Sequence, residues 1–519
     1  MAVLSSYLKQ FPSDQNITLL SSLFCFFIIA LFLIKLRHGR RTTKSSNFIN
    51  LPPSPPKLPF IGNLHQLGSL PHHSFRSLSQ KYGPIMFLQL GQSPTVVLSS
   101  PEFASEVMKT HDLAFADRPQ GTAPKILLYG CTDVGFAPYG EMWREKKKVC
   151  VNELLSLKRV QSFKEIREEE AGELVKKIRD EAECVNLSEL LITTSNDIVC
   201  KCVFGGKFNT EGNRRMGELA RKVMINIQAF CVGDYFPSLG WVDVVCGRVS
   251  KLKALFGELD EFFDQIIEEH RMGLKKKKKD DDDADRKSFV DILLHLQENG
   301  MLDYEFTQDD LKSIIMDMFI GGSDTTSTTL EWAMTELAKH PAKMKKAQEE
   351  VRRIVGSKSK VDENDISEMK YLKCIIKETL RFHPPTPLVA PRVARSTVQL
   401  SGYTIPAKTT VYINAWAIQM DPAIWEKPEE FWPERFEEND VDFKGLDFRF
   451  TPFGSGRRGC PGMIFGVYSV ECMLANLLYW FDWKIPTSVQ EIEMGEIFGL
   501  TVSRKVPLRL QPIPYSFGS

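Results

Sequence analysis

The chain of 519 residues carries no net charge, because 66 lysines and arginines balance 66 aspartates and glutamates. It offers no bulk attraction to nucleic acid, and no nucleic-acid partner is expected. A disulfide framework is also missing. The 11 cysteines are odd in number and irregular in spacing, which excludes a stapled secreted scaffold and fits a reducing compartment. Cys200-x-Cys202 has no second Cys/His pair to complete a metal site, so these two read as core thiols. No repeat of about 20–50 residues recurs, which excludes solenoids and propellers. From residue 60 onward no linker or shift of composition marks a second large domain. One charge run interrupts it, Lys275 to Lys279 and then Asp280 to Asp283. Opposed charge blocks without apolar residues build no core, so this is a solvated loop.

What is present begins with an apolar run at residues 17–34. As a helix it reaches about 27 Å, which suits the thin bilayer of the endoplasmic reticulum. Lys35, Arg37, Arg40, Arg41 and Lys44 follow it, and only Lys9 precedes it. The positive-inside rule puts the N-terminus in the lumen and the remainder in the cytosol. A cleaved signal peptide would show a shorter core, a basic start and a small-residue cleavage site. The expected division is a lumenal tail at 1–16, a transmembrane signal anchor at 17–34, a basic and proline-rich hinge at 35–59 and one catalytic domain at 60–519. The hinge ends in Leu51-Pro52-Pro53-Ser54-Pro55-Pro56-Lys57-Leu58-Pro59. Proline fixes φ there and makes a stiff, extended spacer.

Residues 85–90, 95–98, 398–400 and 410–413 alternate as strands do. Helical periodicity covers 162–181, 249–271, 309–339 and 341–355. The fold class is therefore mainly α with small β-sheets, α+β and not an alternating βαβ chain. Thr307 and Asp310 make a capping-box pattern ahead of the third of these helices, and Pro341 ends it. Its centre reads Gly321-Gly322-Ser323-Asp324-Thr325-Thr326. Each glycine costs about 1 kcal/mol against alanine in a helix. Close approach of the backbone to a ligand would justify them, with Asp324 and Thr325 supplying an acid and a hydroxyl beside the gap.

The strongest signal is Pro452-Phe453-Gly454-Ser455-Gly456-Arg457-Arg458-Gly459-Cys460-Pro461-Gly462. Glycines let backbone amides approach a sulfur. Amides and cations near a thiol favour the thiolate, and a lone thiolate so held can be the axial ligand of a haem iron. Gly454-Ser455-Gly456-Arg457-Arg458-Gly459 also matches a dinucleotide fingerprint. Pro452 breaks the strand that fingerprint needs. Asp482 falls at a tolerable distance, but no second strand–helix unit follows.

Phe453-x-x-Gly456-x-Arg458-x-Cys460-x-Gly462 resembles the haem-binding signature of the cytochrome P-450 superfamily. Four further segments, in order, resemble that family: the hinge, the helix with Trp143, the central Asp324-Thr325 stretch and Glu378-Thr379-Leu380-Arg381. Phe115-Ala116-Asp117-Arg118-Pro119 and Pro433-Glu434-Arg435-Phe436 resemble its plant microsomal members of specialised metabolism. The resemblance implies haem b with Cys460 as the iron's axial ligand. It implies that Thr325 hydrogen-bonds oxygen at the iron and that Asp324 relays protons for O–O cleavage. Arg458, Arg392, Trp143 and Arg144 match positions that hold the haem. Lys147 stands where the family usually has arginine, keeping the charge and losing the bidentate fork. Glu378 and Arg381 share a helix face at i,i+3, and the resemblance adds Arg435 to make a structural network behind the cysteine loop.

The implied reaction inserts one atom of dioxygen into a small, largely apolar organic substrate. Electrons would come from NADPH through a membrane-bound cytochrome P-450 reductase, with cytochrome b5 as a further partner, at the endoplasmic-reticulum membrane. Two alternatives remain: a haem-thiolate enzyme of dehydration or rearrangement, for example of an oxime, and a non-catalytic haem sensor. Peroxide-rearranging members often lack the threonine, so Thr325 favours the monooxygenase. Glu145-Lys146-Lys147-Lys148 reads as a solvated basic face that could meet an acidic reductase. By resemblance the substrate pocket is lined from residues 120–137, 318–326, 386–389 and 498–501.

Overall fold

The computed structural model describes residues 50–181, 183–205, 210–276, 288–302, 304–487 and 491–516. The expected anchor at 17–34, the hinge up to residue 49 and the run 277–283 lie outside these residues. Helices dominate. Those that build the site are α1 (Glu141–Val149), α2 (Leu187–Phe204), α3 (Gln308–Gly322), α4 (Asp324–Lys339), α5 (Lys370–Phe382) and α6 (Met463–Trp480). α4 runs through the core, with α2, α5 and α6 packed around it. α6 is long and apolar enough to cross a membrane by composition, but most of it is buried inside the protein. It is a core helix, hydrophobic on nearly every side for that reason.

The helix expected over 309–339 is two helices. Thr307 and Asp310 form the anticipated capping box at its start, satisfying N–H groups that the first turn leaves without partners. At the centre the helix breaks at Ser323, and the Thr325 hydroxyl donates to the Gly321 carbonyl at 2.6 Å. A threonine hydroxyl turned back on the i−4 carbonyl bends a helix. The two glycines serve different ends. A Cβ on Gly322 would come within 2.9 Å of Val199 on α2, whereas one on Gly321 would meet nothing within 4 Å. Close packing explains the first, and open space lies beside the second.

A four-stranded sheet forms from β1 (Ile85–Leu90), β2 (Ser93–Leu98), β3 (Arg392–Val393) and β4 (Thr410–Ile413), in the order β1-β2-β4-β3. β1 and β2 are a hairpin in register Ile85↔Leu98 to Leu90↔Ser93. Its turn needs Gly91 at φ 61°, where a Cβ would strike the Tyr235 carbonyl. β4 runs parallel to β2, and β3 closes the edge antiparallel to β4. This edge carries Arg392. A second hairpin, β5 (Glu496–Phe498) with β6 (Val502–Arg504), packs β6 against α4. The strands at 85–90, 398–400 and 410–413 end where the alternation predicts, and the strand expected from 95 begins at 93.

Candidate active site

Cys460 follows a turn that glycine makes possible. Gly454 and Gly456 have φ of 67° and 68°, and a Cβ on Gly456 would lie 2.3 Å from the Met108 carbonyl. Both demands restrict these positions to glycine. The Cys460 amide donates to Phe453 at 2.9 Å, which folds the loop back on itself. The sulfur then accepts from the Gly462 and Met463 amides at the start of α6. It opens onto accessible space although it is set deep among protein atoms. Burial pushes the thiol above its ordinary value, while the Gly462 amide, the Lys147 charge and the Met463 amide pull it down. These are the expected stabilisers of a thiolate, and burial outweighs them in the free thiol.

α1 crosses beside this loop. Lys147 donates from Nζ to the Gly459 carbonyl at 2.6 Å, and burial lowers its pKa, with the Cys460 charge opposing. Trp143 donates from Nε1 to the Val134 carbonyl at 2.9 Å, and the Arg458 guanidinium lies 4.2 Å from its ring centroid. Arg144, the third residue expected on this helix, is exposed. Lys146 corrects the expected basic face. It is buried, donates to the Thr132 carbonyl and is paired with Asp310 at the start of α3. Lys148 remains exposed, 3.5 Å from Glu145. Sequence alone places three lysines in a row on a helix, but 100° per residue turns each toward a different neighbour.

Three buried arginines meet next to the cysteine loop. Arg458 donates to the carbonyls of Ala116, Val134 and Ala137. Arg392 donates to Asp112 and to the Ser455 carbonyl, each at 2.8 Å, and its buried Nε has no partner. Arg118 donates to the carbonyls of Gly135, Ala390 and Pro391. Burial, followed by repulsion from Arg392, brings Arg458 down to about 10. Burial, then Arg458 and Arg392, lowers Arg118. Among the described residues Arg392 alone of the three has a carboxylate in ion-pair contact. Arg118 was absent from the candidates read from sequence, and its segment Phe115–Pro119 was the only signal.

Above the cysteine loop, α4 starts with the expected acid and hydroxyl. The Thr501 hydroxyl, in the turn between β5 and β6, donates to the Asp324 carboxylate. Burial raises Asp324, and the Thr501 hydrogen bond and the Arg221 charge oppose that rise. The buried hydroxyls of Ser323 and Thr326 have no partner. A Cβ on Gly466 of α6 would stand 4.0 Å from Thr326 Oγ1, so the start of α6 adjoins the start of α4. A second acid on this helix system was not anticipated. Asp317 accepts from the Val134 amide at 2.6 Å, and Asp133 accepts from the Phe136 amide at 2.7 Å. The two carboxyls are buried together, and a Cβ on Gly135 would lie within 3.3 Å of both. Burial pushes Asp133 up to about 6, and burial and Asp133 raise Asp317 well above the ordinary range. Two acids this close share a proton.

Behind the loop, Glu378, Arg381 and Arg435 come together. Arg381 forks onto both Glu378 oxygens at 2.8 Å, and Arg435 reaches the same carboxylate at 3.0 Å. The remaining guanidinium N–H groups donate to carbonyls of Gln419, Glu426, Lys427, Pro428 and Glu430. Ring contacts then run from Trp425 through Phe436, Phe450 and Phe443 to Phe453 of the cysteine loop. A surface cleft of about 770 Å³, lined by Met344, Arg352, Trp483 and Tyr515, shares no residue with this site.

These features suit haem b. Its iron needs one soft ligand, which a sulfur cradled by two amides provides. Its two carboxylates need cations, which an arginine cluster short of carboxylates provides.

The Cytochrome P450 family model matches residues 52–509. The chain is 50% identical over 518 residues to the phenylacetaldehyde oxime monooxygenase of Prunus mume, covering 98% of this chain and 97% of that protein. It is 52% identical over 499 residues to cytochrome P450 71A1 of Persea americana, covering 95% and 98%. Desmethylyatein synthase of Sinopodophyllum hexandrum is 46% identical over 500 residues, covering 95% and 98%. A solved zebra fish cytochrome P450 with progesterone superposes with a TM-score of 0.71 at 25% identity, covering 86% of this chain and 98% of that one. The same fold appears in a zebra fish cytochrome P450 structure with abiraterone, at a TM-score of 0.72, 24% identity and 87% and 100% coverage. With the sulfur, its cradle and the cation cluster in place, the matches settle the matter: the chain belongs to the cytochrome P450 family, as a monooxygenase whose cofactor is haem b.

Proposed function

We propose that this protein inserts one atom of dioxygen into a small, largely apolar organic substrate of plant specialised metabolism, with electrons from NADPH delivered by a cytochrome P450 reductase. The observation that carries the reading is the single sulfur of Cys460 between the Gly462 and Met463 amides, beside three buried arginines. When bound, haem with a thiolate ligand supplies oxygen activation and O–O cleavage. Arg458, Arg392 and Arg118 hold its carboxylates, Trp143 and Lys147 brace the loop from α1, and Arg144 adds an exposed cation on the same helix. Asp324, kept by Thr501 at the start of α4, passes protons inward, and the Thr325 hydroxyl presents them. Glu378, Arg381 and Arg435 act on structure and not on chemistry.

The substrate faces the segments 120–137, 318–326, 386–389 and 498–501. Leu388 is buried and apolar, and Val389 lies beside Gly454 of the cysteine loop. Whole-length identity to a phenylacetaldehyde oxime monooxygenase favours an arylalkyl compound or its oxime as the first class to try. With an oxime, dehydration is the competing outcome. Residues 17–34 anchor the chain in the endoplasmic-reticulum membrane, 35–59 form the hinge and 60–519 the catalytic domain in the cytosol. Membranes co-expressing a reductase, fed an arylalkyl and oxime panel under labelled dioxygen, test this. Labelled product that disappears in Cys460→Ala is expected. Unlabelled product would favour dehydration, and product surviving the substitution would contradict the reading. Loss of membrane retention on deletion of residues 1–34 tests the anchor.

A further inference from the structure

The helix at Pro71–Tyr82 begins Pro71-His72-His73, and both imidazoles turn toward one carboxylate on the β5–β6 hairpin. His72 Nε2 is 3.3 Å, and His73 Nε2 is 3.2 Å, from the same Glu496 Oε2. All three ligand atoms lie within 4.8 Å of one another. His72 is buried, His73 is exposed and Glu496 is mostly covered. Trp416 fixes both rings: it stacks on His73 at 4.2 Å and meets His72 edge-on at 5.1 Å.

This cluster is more than a hydrogen-bonded pair with a spare histidine. In a tetrahedral zinc site, bonds of about 2.0–2.2 Å put neighbouring ligand atoms roughly 3.3–3.5 Å apart. Two of the three edges, the N···O separations, are close to that length, and the third lies within 4.8 Å, with the exposed His73 at one end of it. Two imidazoles and one carboxylate suit a borderline metal such as zinc over calcium or magnesium, which take oxygen. A metal would replace the proton between each Nε2 and Glu496, leaving each ring protonated on Nδ1.

We propose that His72, His73 and Glu496 form a binding site for one divalent zinc-class ion, with a fourth, solvent-facing position left for water. The site joins the helix at Pro71–Tyr82 to the strand that opens the β5–β6 hairpin. The turn of that hairpin carries Thr501, whose hydroxyl holds Asp324. Zinc therefore fastens from outside the element that positions the acid of α4.

The test uses full-length, haem-loaded protein stripped with a chelator and titrated with zinc chloride against a chromogenic zinc indicator. One zinc per chain at micromolar affinity is expected. A zinc-edge absorption spectrum should show nitrogen and oxygen neighbours at about 2.0–2.1 Å. His73→Ala and Glu496→Gln should each weaken binding at least tenfold. His73 is exposed, so that variant should keep its fold, checked by an unchanged haem spectrum. Well under one zinc per chain after subtraction of a buffer blank, or equal affinity in wild type and His73→Ala, overturns the proposal.

Discussion

Two buried charge clusters flank Cys460, and they are finished to different degrees. In the Glu378–Arg381–Arg435 network each carboxylate oxygen accepts from both arginines or their neighbours, and the spare N–H groups end on carbonyls. Among Arg118, Arg392 and Arg458, cations exceed paired carboxylates three to one, and a buried Nε has no partner. A completed network in a low-dielectric interior stiffens what it touches. A cluster with surplus charge calls for a ligand of opposite sign. The first is built as scaffold, and the second fits the haem carboxylates proposed for it.

The comparison breaks first if the completed network can be dismantled cheaply. Glu378→Ala leaves two buried guanidiniums without their carboxylate and should cost about 3–5 kcal/mol in denaturant unfolding. A loss under about 1 kcal/mol would mean that the network is ornament. On the open side, function and stability should separate. Thr325→Ala removes one hydrogen bond, to Gly321 across the break between α3 and α4, so stability should change by no more than about 1 kcal/mol, whereas turnover should fall about 10²-fold. Equal losses of both would place Thr325 in the scaffold. A smaller effect sharpens the contrast. Arg458→Gln should speed haem transfer to a scavenging apoprotein about tenfold, the equivalent of one charged hydrogen bond. Unchanged haem retention would remove Arg458 from the proposed haem-carboxylate site.

The smallest effect concerns the acid pair that ties residues 133–137 to α3. Asp133 is held at about 6 against an ordinary 3.8. Between these values the native state keeps a proton that the unfolded chain has lost. Stability from this group is therefore fully present below the unfolded value and falls as pH rises through 6. From pH 5 to pH 7 the loss is about 1 kcal/mol. Asp133→Asn should flatten that slope relative to wild type, since carboxylates such as Glu496 are common to both. Parallel pH profiles would show that the pair shares no proton.

Motifs that act through chain-local spacing were legible in the sequence. Cys460, Arg458, Gly456 and Phe453 sit within eight residues, and Glu378 and Arg381 share a helix turn. Three of the four expected strands took their ends from alternation, which is also local. What escaped depends on partners more than a hundred residues away. Lys146 looked solvated until Asp310 was found against it, and Asp133 and Asp317 are 184 positions apart. Arg118 stands out only beside Arg392 and Arg458. The break at Ser323 was half visible: the glycine pair announced a weak point, but Val199 on α2 explains one glycine and open space the other.

The sulfur–iron bond at Cys460 is the centre of the account, and carbon monoxide added to the dithionite-reduced protein reads it directly. Thiolate ligation predicts a strongly red-shifted Soret band that Cys460→Ala abolishes. A wild-type Soret band at the unshifted position of a histidine- or water-ligated haem would contradict it.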